Sequence, residues 1–241
     1  MLRANGLSIA AVQPACIPYD VTHNAELHAA LIRAADARVV VFPEMSITGY
    51  ELDAEVVDTE DPRLQPIVRA CADTGSLALV GAPTRSHLGD HISTLRVEGS
   101  GVKVAYRKVW LSATEARRFS AGSKPVVITL DGWRLGLAIC KDTGVAAHAQ
   151  STAGIGMDVY VAGVLDSPEE LPIQIERAQR IATQHGVWVV FASFAGGTGG
   201  GYDCAAAHSR IWAPDGAQRA CAGAQPGGIA RAVLTVADTR R

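Results

Sequence analysis

The order in which strand-like and helix-like runs follow one another constrains this 241-residue chain more than any other feature. LSIAAVQ (7–13) is a strand-length apolar run. Asn24 to Ala35 sets Leu27, Ala30, Leu31 and Ala34 on one helical stripe, and RVVVF (38–42) is continuously apolar, as a strand buried on both faces should be. A second helix opens at Asp61-Pro62, carries Leu64, Ile67, Val68 and Cys71 on one stripe, stops at Gly75 and leads into the strand LALVG (77–81). Hairpins come next. STLRVEGSGVKVAYRK (93–108) doubles back at Gly-Ser-Gly, and VVITLDGWRLGLAI (126–139) at Asp131-Gly132. A helix near 145–154 leads to the strand MDVYVAG (157–163). Ser167 and Glu170 form a capping-box pattern for the helix that ends at Gly186, with Pro172 delaying its regular part. VWVVFAS (187–193), HSRIWAPDG (208–216) and GIARAVLTVA (228–237) complete the set. Crossover units mixed with hairpins exclude a purely parallel doubly wound sheet and leave a mixed α/β sheet or two sheets in a layered sandwich.

No linker or trustworthy repeat interrupts this order, so residues 1–241 read as a single domain. The chain is 48% hydrophobic and 19% charged, a globular balance, and its net charge of −2 comes without a basic stripe. Nucleic acid and anionic membrane are therefore poor partners. The longest apolar runs, such as Val187 to Ala192, are strand-length, and the N-terminus lacks the apolar core and cleavage site of a signal peptide. Five widely spaced cysteines without a C-x-x-C pair form neither a disulfide framework nor a zinc site, and reduced thiols fit a cytoplasmic protein.

Three chemically complementary residues sit just past strand-like runs. FPEM places Glu44 two residues beyond one apolar run, VAYRKVWL places Lys108 after a hairpin strand, and LAICKD places Cys140 at the end of another. Groups at strand ends of a mixed sheet can converge on one crevice. A thiol needs a base to become a thiolate, and a carboxylate can be that base. Attack on a carbonyl or nitrile carbon then builds negative charge that a fixed ammonium stabilises. The same carboxylic acid can protonate a leaving amine and afterwards activate water, so the three side chains suffice for C–N hydrolysis with no metal and no cofactor.

Further spacing gives these weak signals a family. AAVQ (10–13), VVVFPEMSITGY (39–50), YRKVWLSATEARRFSAG (106–122), LGLAICKD (135–142), ERAQRIATQHGVWVVFAS (176–193) and HSRIWAPDG (208–216) together resemble the nitrilase superfamily of carbon–nitrogen hydrolases, in the family's order and over nearly the whole chain. The resemblance implies a four-layer α-β-β-α sandwich that pairs into a homodimer or higher homo-oligomer. It implies Cys140 as nucleophile, Glu44 as general base and acid, and Lys108 as stabiliser of the tetrahedral intermediate. By the same likeness Glu115 is the second glutamate that holds the lysine, and the Lys141 N–H is a further oxyanion donor. The expected substrate is a small carboxamide that releases ammonia from a Cys-linked acyl-thioester, with N-carbamoyl amines and nitriles as neighbouring possibilities and a non-catalytic ligand-binding member as the remaining alternative. Trp110 stands where the family often has histidine, and TGVAAHAQ after Asp142 departs from the usual aromatic-Pro-Glu run.

Other residues carry less. Asp166, the polar residue nearest the end of the 157–163 strand, either contacts a polar or cationic part of the substrate or helps start the next helix beside Ser167. GGTGGGYD (196–203) lacks the Lys-Ser/Thr ending of a phosphate loop and reads as a flexible loop near the site entrance. Glu115 alone could pair with Arg118, His148 reads as a helix residue rather than a partner of Cys140, and Cys16, Cys71, Cys204 and Cys221 read as packing or unpartnered thiols.

Overall fold

Alternating residues of the first strand part company: Ile9 and Ala11 enter one core, and Ala10 and Val12 enter another. The same period-two split recurs in both sheets of the computed structural model, which describes residues 6–235, and it produces the layered architecture. In chain order the elements begin with β1 (Gly6–Val12), α1 (Val21–Ala35), β2 (Val39–Val41), α2 (Gln65–Thr74), β3 (Leu77–Ser86), β4 (Gly89–Glu98) and β5 (Gly101–Arg107). They continue with β6 (Val126–Leu130), β7 (Trp133–Ile139), the short α3 (Lys141–Gly144), α4 (Ala146–Ile155), β8 (Val159–Val164) and α5 (Leu171–His185). β9 (Trp188–Ser193), β10 (Ala195–Thr198), β11 (Tyr202–Ala206), β12 (Arg210–Trp212), β13 (Gln218–Cys221) and β14 (Ile229–Thr235) complete them.

Two six-stranded sheets result, ordered β14-β1-β2-β3-β4-β5 and β13-β12-β9-β8-β7-β6. Each is mixed: β1-β2-β3 and β7-β8-β9 run parallel, and the flanking strands are antiparallel. The central core lies between the sheets, where Ile9, Val39 and Leu77 of one meet Leu135, Val159 and Val190 of the other. Outside the first sheet, Val40 and Ala78 pack on Ala25 and Ile32 of α1 and Ile67 of α2. Outside the second, Tyr160 and Phe191 pack with Ala149 of α4 and with Ala178 and Ile181 of α5. The four-layer mixed α/β sandwich is the observed fold.

Local chemistry explains several boundaries. Gly75 and Gly186 end α2 and α5 in the left-handed conformation, each donating its N–H to a carbonyl of the last turn. Asp131 and Gly132, both at positive φ, make the tight β6–β7 turn. The Ser167–Glu170 capping box is formed, in a 3₁₀ turn (168–170) that feeds α5.

Three readings are corrected. Leu27, Ala30, Leu31 and Ala34 share a face of α1, but the face it buries is that of Asn24, Ala25, His28, Ala29 and Ile32. LALVG is only the start of β3, which runs on through Pro83 to Ser86 and makes a second, unforeseen hairpin with β4. GGTGGGYD is not an irregular loop: β10 and β11 pair across it, turning at Gly200 and Gly201, both at positive φ. The final run is a strand as far as Thr235, and its Val236 and Ala237 lie outside the described residues. Among the described residues no helix is long and apolar enough to cross a membrane.

Candidate active site

Glu44 lies on a turn just beyond β2 that is squeezed between both sheets. A Cβ on Gly81 of β3 would stand 2.3 Å from the Met45 nitrogen, and one on Gly163 of β8 would stand 2.8 Å from the Glu44 nitrogen. Only glycine at these two positions lets the turn pass so close, and this pins the Glu44 backbone from either side. Its carboxylate is 2% exposed.

Lys108 follows β5, its backbone held at both ends: its N–H donates to Ile92 O at 2.8 Å and its carbonyl accepts from Gly122 N at 2.7 Å. Its Nζ reaches Glu44 Oε1 and Glu115 Oε1, both at 2.7 Å. Glu115 opens a short 3₁₀ turn and is held reciprocally by Ser112: Glu115 Oε2 accepts from Ser112 N at 2.7 Å, and Ser112 Oγ accepts from Glu115 N at 3.2 Å. The Tyr50 hydroxyl donates to Glu115 Oε1 at 2.6 Å. Glu115 thus belongs to this cluster and does not pair with Arg118, which instead meets Asp90 and Leu52 O.

Cys140 sits between β7 and α3 with φ 38° and ψ −96°, a region an L-residue occupies only under strain. Its N–H donates to Gly163 O, and its carbonyl accepts from the Thr143 N–H and hydroxyl. Asp142 bolts this turn to the lysine side. Its Oδ2 accepts from Ile139 N and the Tyr106 hydroxyl, and its Oδ1 accepts from Trp110 N, all at 2.8–2.9 Å. His148 belongs to the same support rather than to the thiol, with ring nitrogens 2.9 Å from the Tyr106 and Tyr160 hydroxyls. Cys140 Sγ donates to Leu165 O at 3.3 Å. Lys141 is the first residue of α3, so its N–H has no acceptor within the helix.

Glu44, Tyr50, Lys108, Ser112, Glu115, Cys140 and Lys141 line one cavity of about 450 Å³, together with Leu52, Val145, Asp166, Arg177 and Tyr202. Asp166 is on its wall, and helix capping falls to Ser167. Asp166 Oδ2 accepts from Gln174 Nε2 at 2.7 Å. The sequence motif includes GY at 49–50, but nothing in it marks Tyr50 for a role. Sequence reasoning missed Ser112, whose Ser-x-x-Glu spacing was legible, and Gln174 and Arg177, which stand one helical turn apart on α5. Trp110 is half-exposed and meets Asp142 only through its backbone. Among the described residues no group of three or more His, Cys, Asp or Glu could hold a metal ion, and all five cysteines are free.

Burial raises the Glu44 carboxyl to about 7, aided by the charges of Glu115 and Asp142 and opposed by Lys108. Burial and the neighbouring carboxylates Glu44 and Asp166 push the Cys140 thiol well above its ordinary range. Burial opposes the charge on Lys108, but Glu44, Cys140 and Glu115 outweigh it and keep the ammonium protonated. Glu115, despite its own burial, is held below its ordinary value by Lys108, Tyr50 and Ser112. Two carboxyl groups on one ammonium are therefore driven apart, one toward neutral pH and one firmly ionised.

Residues 8–241 match the family model for carbon-nitrogen hydrolase. The chain is 30% identical over 217 residues to a hydrolase in the pqqF 5′ region of Pseudomonas protegens, covering 86% of this chain and 75% of that one. It is 26% identical over 139 residues to an (R)-stereoselective amidase of a Pseudomonas species, covering 56% of this chain and 51% of that one. Among solved structures, Saccharomyces cerevisiae Nit3 of the nitrilase superfamily superposes with a TM-score of 0.87 at 23% identity, over 98% of this chain and 93% of that one. A mutant of the Nesterenkonia AN1 amidase superposes with a TM-score of 0.86 at 21% identity, over 100% of this chain and 96% of that one.

Proposed function

The chain belongs to the carbon-nitrogen hydrolase family, within the nitrilase superfamily, and is a hydrolase of C–N bonds; on that premise we propose that it cleaves a small carboxamide through an acyl-thioester on Cys140, releasing ammonia. The observation that carries this reading is the single cavity in which a strained cysteine faces a lysine bridged by two glutamates.

The protonation states assign the roles. A thiol raised above its ordinary range rests protonated and needs a base at the moment of attack, and Glu44, at about 7, is matched to take that proton near neutral pH. The Cys140 sulfur bonds to the amide carbon as its proton passes to Glu44. The oxyanion that forms is met by the Lys108 ammonium and the Lys141 N–H. Collapse breaks the C–N bond while Glu44 returns the proton to nitrogen, and ammonia leaves. Water then attacks the thioester with Glu44 taking its proton, and the second tetrahedral intermediate expels sulfur, which recovers that proton as the carboxylic acid departs. Glu115 stays ionised throughout and holds Lys108 as an ammonium.

Ammonia release across short amides, N-carbamoyl amines and nitriles, with mass spectrometry of the quenched enzyme, tests the reading. An acyl adduct on Cys140 with an amide substrate supports it. Turnover without an adduct, or of nitriles alone, overturns it.

A further inference from the structure

Most of the charge that lines the cavity is already committed. The glutamate–lysine cluster is closed on itself at 2.7 Å, Lys141 Nζ donates to Leu111 O at 2.7 Å, and Glu170 accepts from Ser167 N at 2.9 Å. Asp166 and Arg177 are different. Arg177 Nη1 lies 4.0 Å from Asp166 Oδ1, beyond the reach of a hydrogen bond, and among the described residues the guanidinium makes no hydrogen bond at all. Asp166 is 5% exposed, yet only its Oδ2 is satisfied. Asp166 lines the cavity with its other oxygen free of hydrogen bonds, and the side chain that orients it is left short of a partner: Gln174 gives its Nε2 to Asp166 while its own Oε1 is buried without a partner. On the other side Arg177 lies against Gly144, one turn past the nucleophile, where a Cβ would stand 3.1 Å from Cζ.

From this arrangement we infer that Asp166 and Arg177 form a recognition site for a zwitterionic head group, so that the substrate is a small amino acid carrying its amide on the side chain. Its ammonium binds Asp166 Oδ1 and its carboxylate binds Arg177. The inference rests on the amidase reading above. A guanidinium fork suits a carboxylate, and a compact ammonium suits a single open carboxylate oxygen. Opposite charges side by side also disfavour a substrate bearing only one of them, because the unmatched wall charge then stays unpaired in a partly desolvated cavity.

The test is kcat/KM for ammonia release from glutamine and asparagine (both enantiomers), glutaric acid monoamide, 4-aminopentanamide and pentanamide. Each matched charge should raise kcat/KM about tenfold or more, so the best amino acid should exceed pentanamide by on the order of 100-fold. Asp166→Asn should erase most of the gain due to the ammonium and Arg177→Met that due to the carboxylate. Pentanamide turned over as well as the amino acids, or equal losses on every substrate in both variants, would overturn the assignment and make the pair structural. Calorimetric binding of glutamate and aspartate, the product acids, separates this from failure of the amidase reading. Binding to wild type that weakens in both variants sustains the head-group site even if no amide is cleaved, and no binding sinks it.

Discussion

The floor and the wall of the cavity are built on opposite principles. On the floor, Tyr50, Glu115, Lys108, Glu44 and Ser112 are joined by contacts of 2.6–2.7 Å, and no charge there lacks a partner. On the wall, Asp166 and Arg177 stop at 4.0 Å and a neighbouring amide oxygen is orphaned. A closed network holds groups where charge will develop, and nothing has to reorganise when it does. An open pair costs stability in the empty protein and regains it when a ligand arrives. On the proposed reading the floor serves chemistry common to many acyl groups, and the wall chooses among them.

The largest expected effect removes the proposed nucleophile beside the floor. Cys140→Ala should abolish turnover while the fold survives, since little volume is lost at a strand end. Assay of ammonia release together with a thermal melt checks this, and persisting turnover would remove Cys140 from the chemistry. Glu44→Gln comes next. On the proposed mechanism it deletes the base for both half-reactions and the acid between them, so the loss should exceed the roughly 10²–10⁴-fold of a single acid–base role. The wild-type pH profile carries the same information. Glu44 works as a base only when ionised, so kcat/KM should rise with pH along a limb centred near its value of about 7. That limb should vanish in Glu44→Gln, and a limb centred near 4.5 in the wild type would place the base elsewhere.

Lys108→Arg keeps the charge but replaces a compact ammonium wedged between two carboxylates with a wider planar fork. The cavity floor is closed too tightly to admit it in the same place, and kcat should fall about 10²–10³-fold, as when an oxyanion donor is lost. An active Lys108→Arg enzyme would mean that the floor is looser than its distances indicate.

The same contrast governs what could be read in the sequence. Strand ends, the Asp131-Gly132 turn and the caps at Gly75, Ser167 and Gly186 are local signals, and they were legible; that Glu44, Lys108, Cys140 and Glu115 belong together came from the family resemblance, and the fold brings them to one cavity. The β3 extension was not, because Pro83 ordinarily argues against a strand, and what sustains it here is the run of pairs with β4 from Ala82–Ser93 to Ser86–Gly89. The wall was half-legible at best. Gln174 begins the stripe of α5 that continues with Ala178, Ile181 and Ala182, so a polar residue on a buried face was the available clue. That its partner is Asp166 depends on how α5 packs over the second sheet, which no periodicity encodes.

The smallest effect tests how redundant the floor is. Tyr50→Phe removes the 2.6 Å hydrogen bond to Glu115 Oε1 but keeps the ring in the cavity lining. Glu115 is still held by Ser112 N on its other oxygen and by Lys108 on the same one, so its orientation and its charge should both survive. A hydrogen bond to a charged group contributes about 1.5–3 kcal/mol to stability, which for a chain of this size is a loss on the order of 3–12 °C in Tm. Activity should fall less than about tenfold, because no donor to the oxyanion is removed and the lysine keeps both carboxylates. KM for the preferred amide should change little. A drop of 10²-fold or more in kcat with an unchanged Tm would mean that the Tyr50 hydroxyl itself touches the reacting atoms. It would then stand with Asp166 and Arg177 as a group held open for substrate, and the division between a closed floor and an open wall would have to be redrawn through Tyr50.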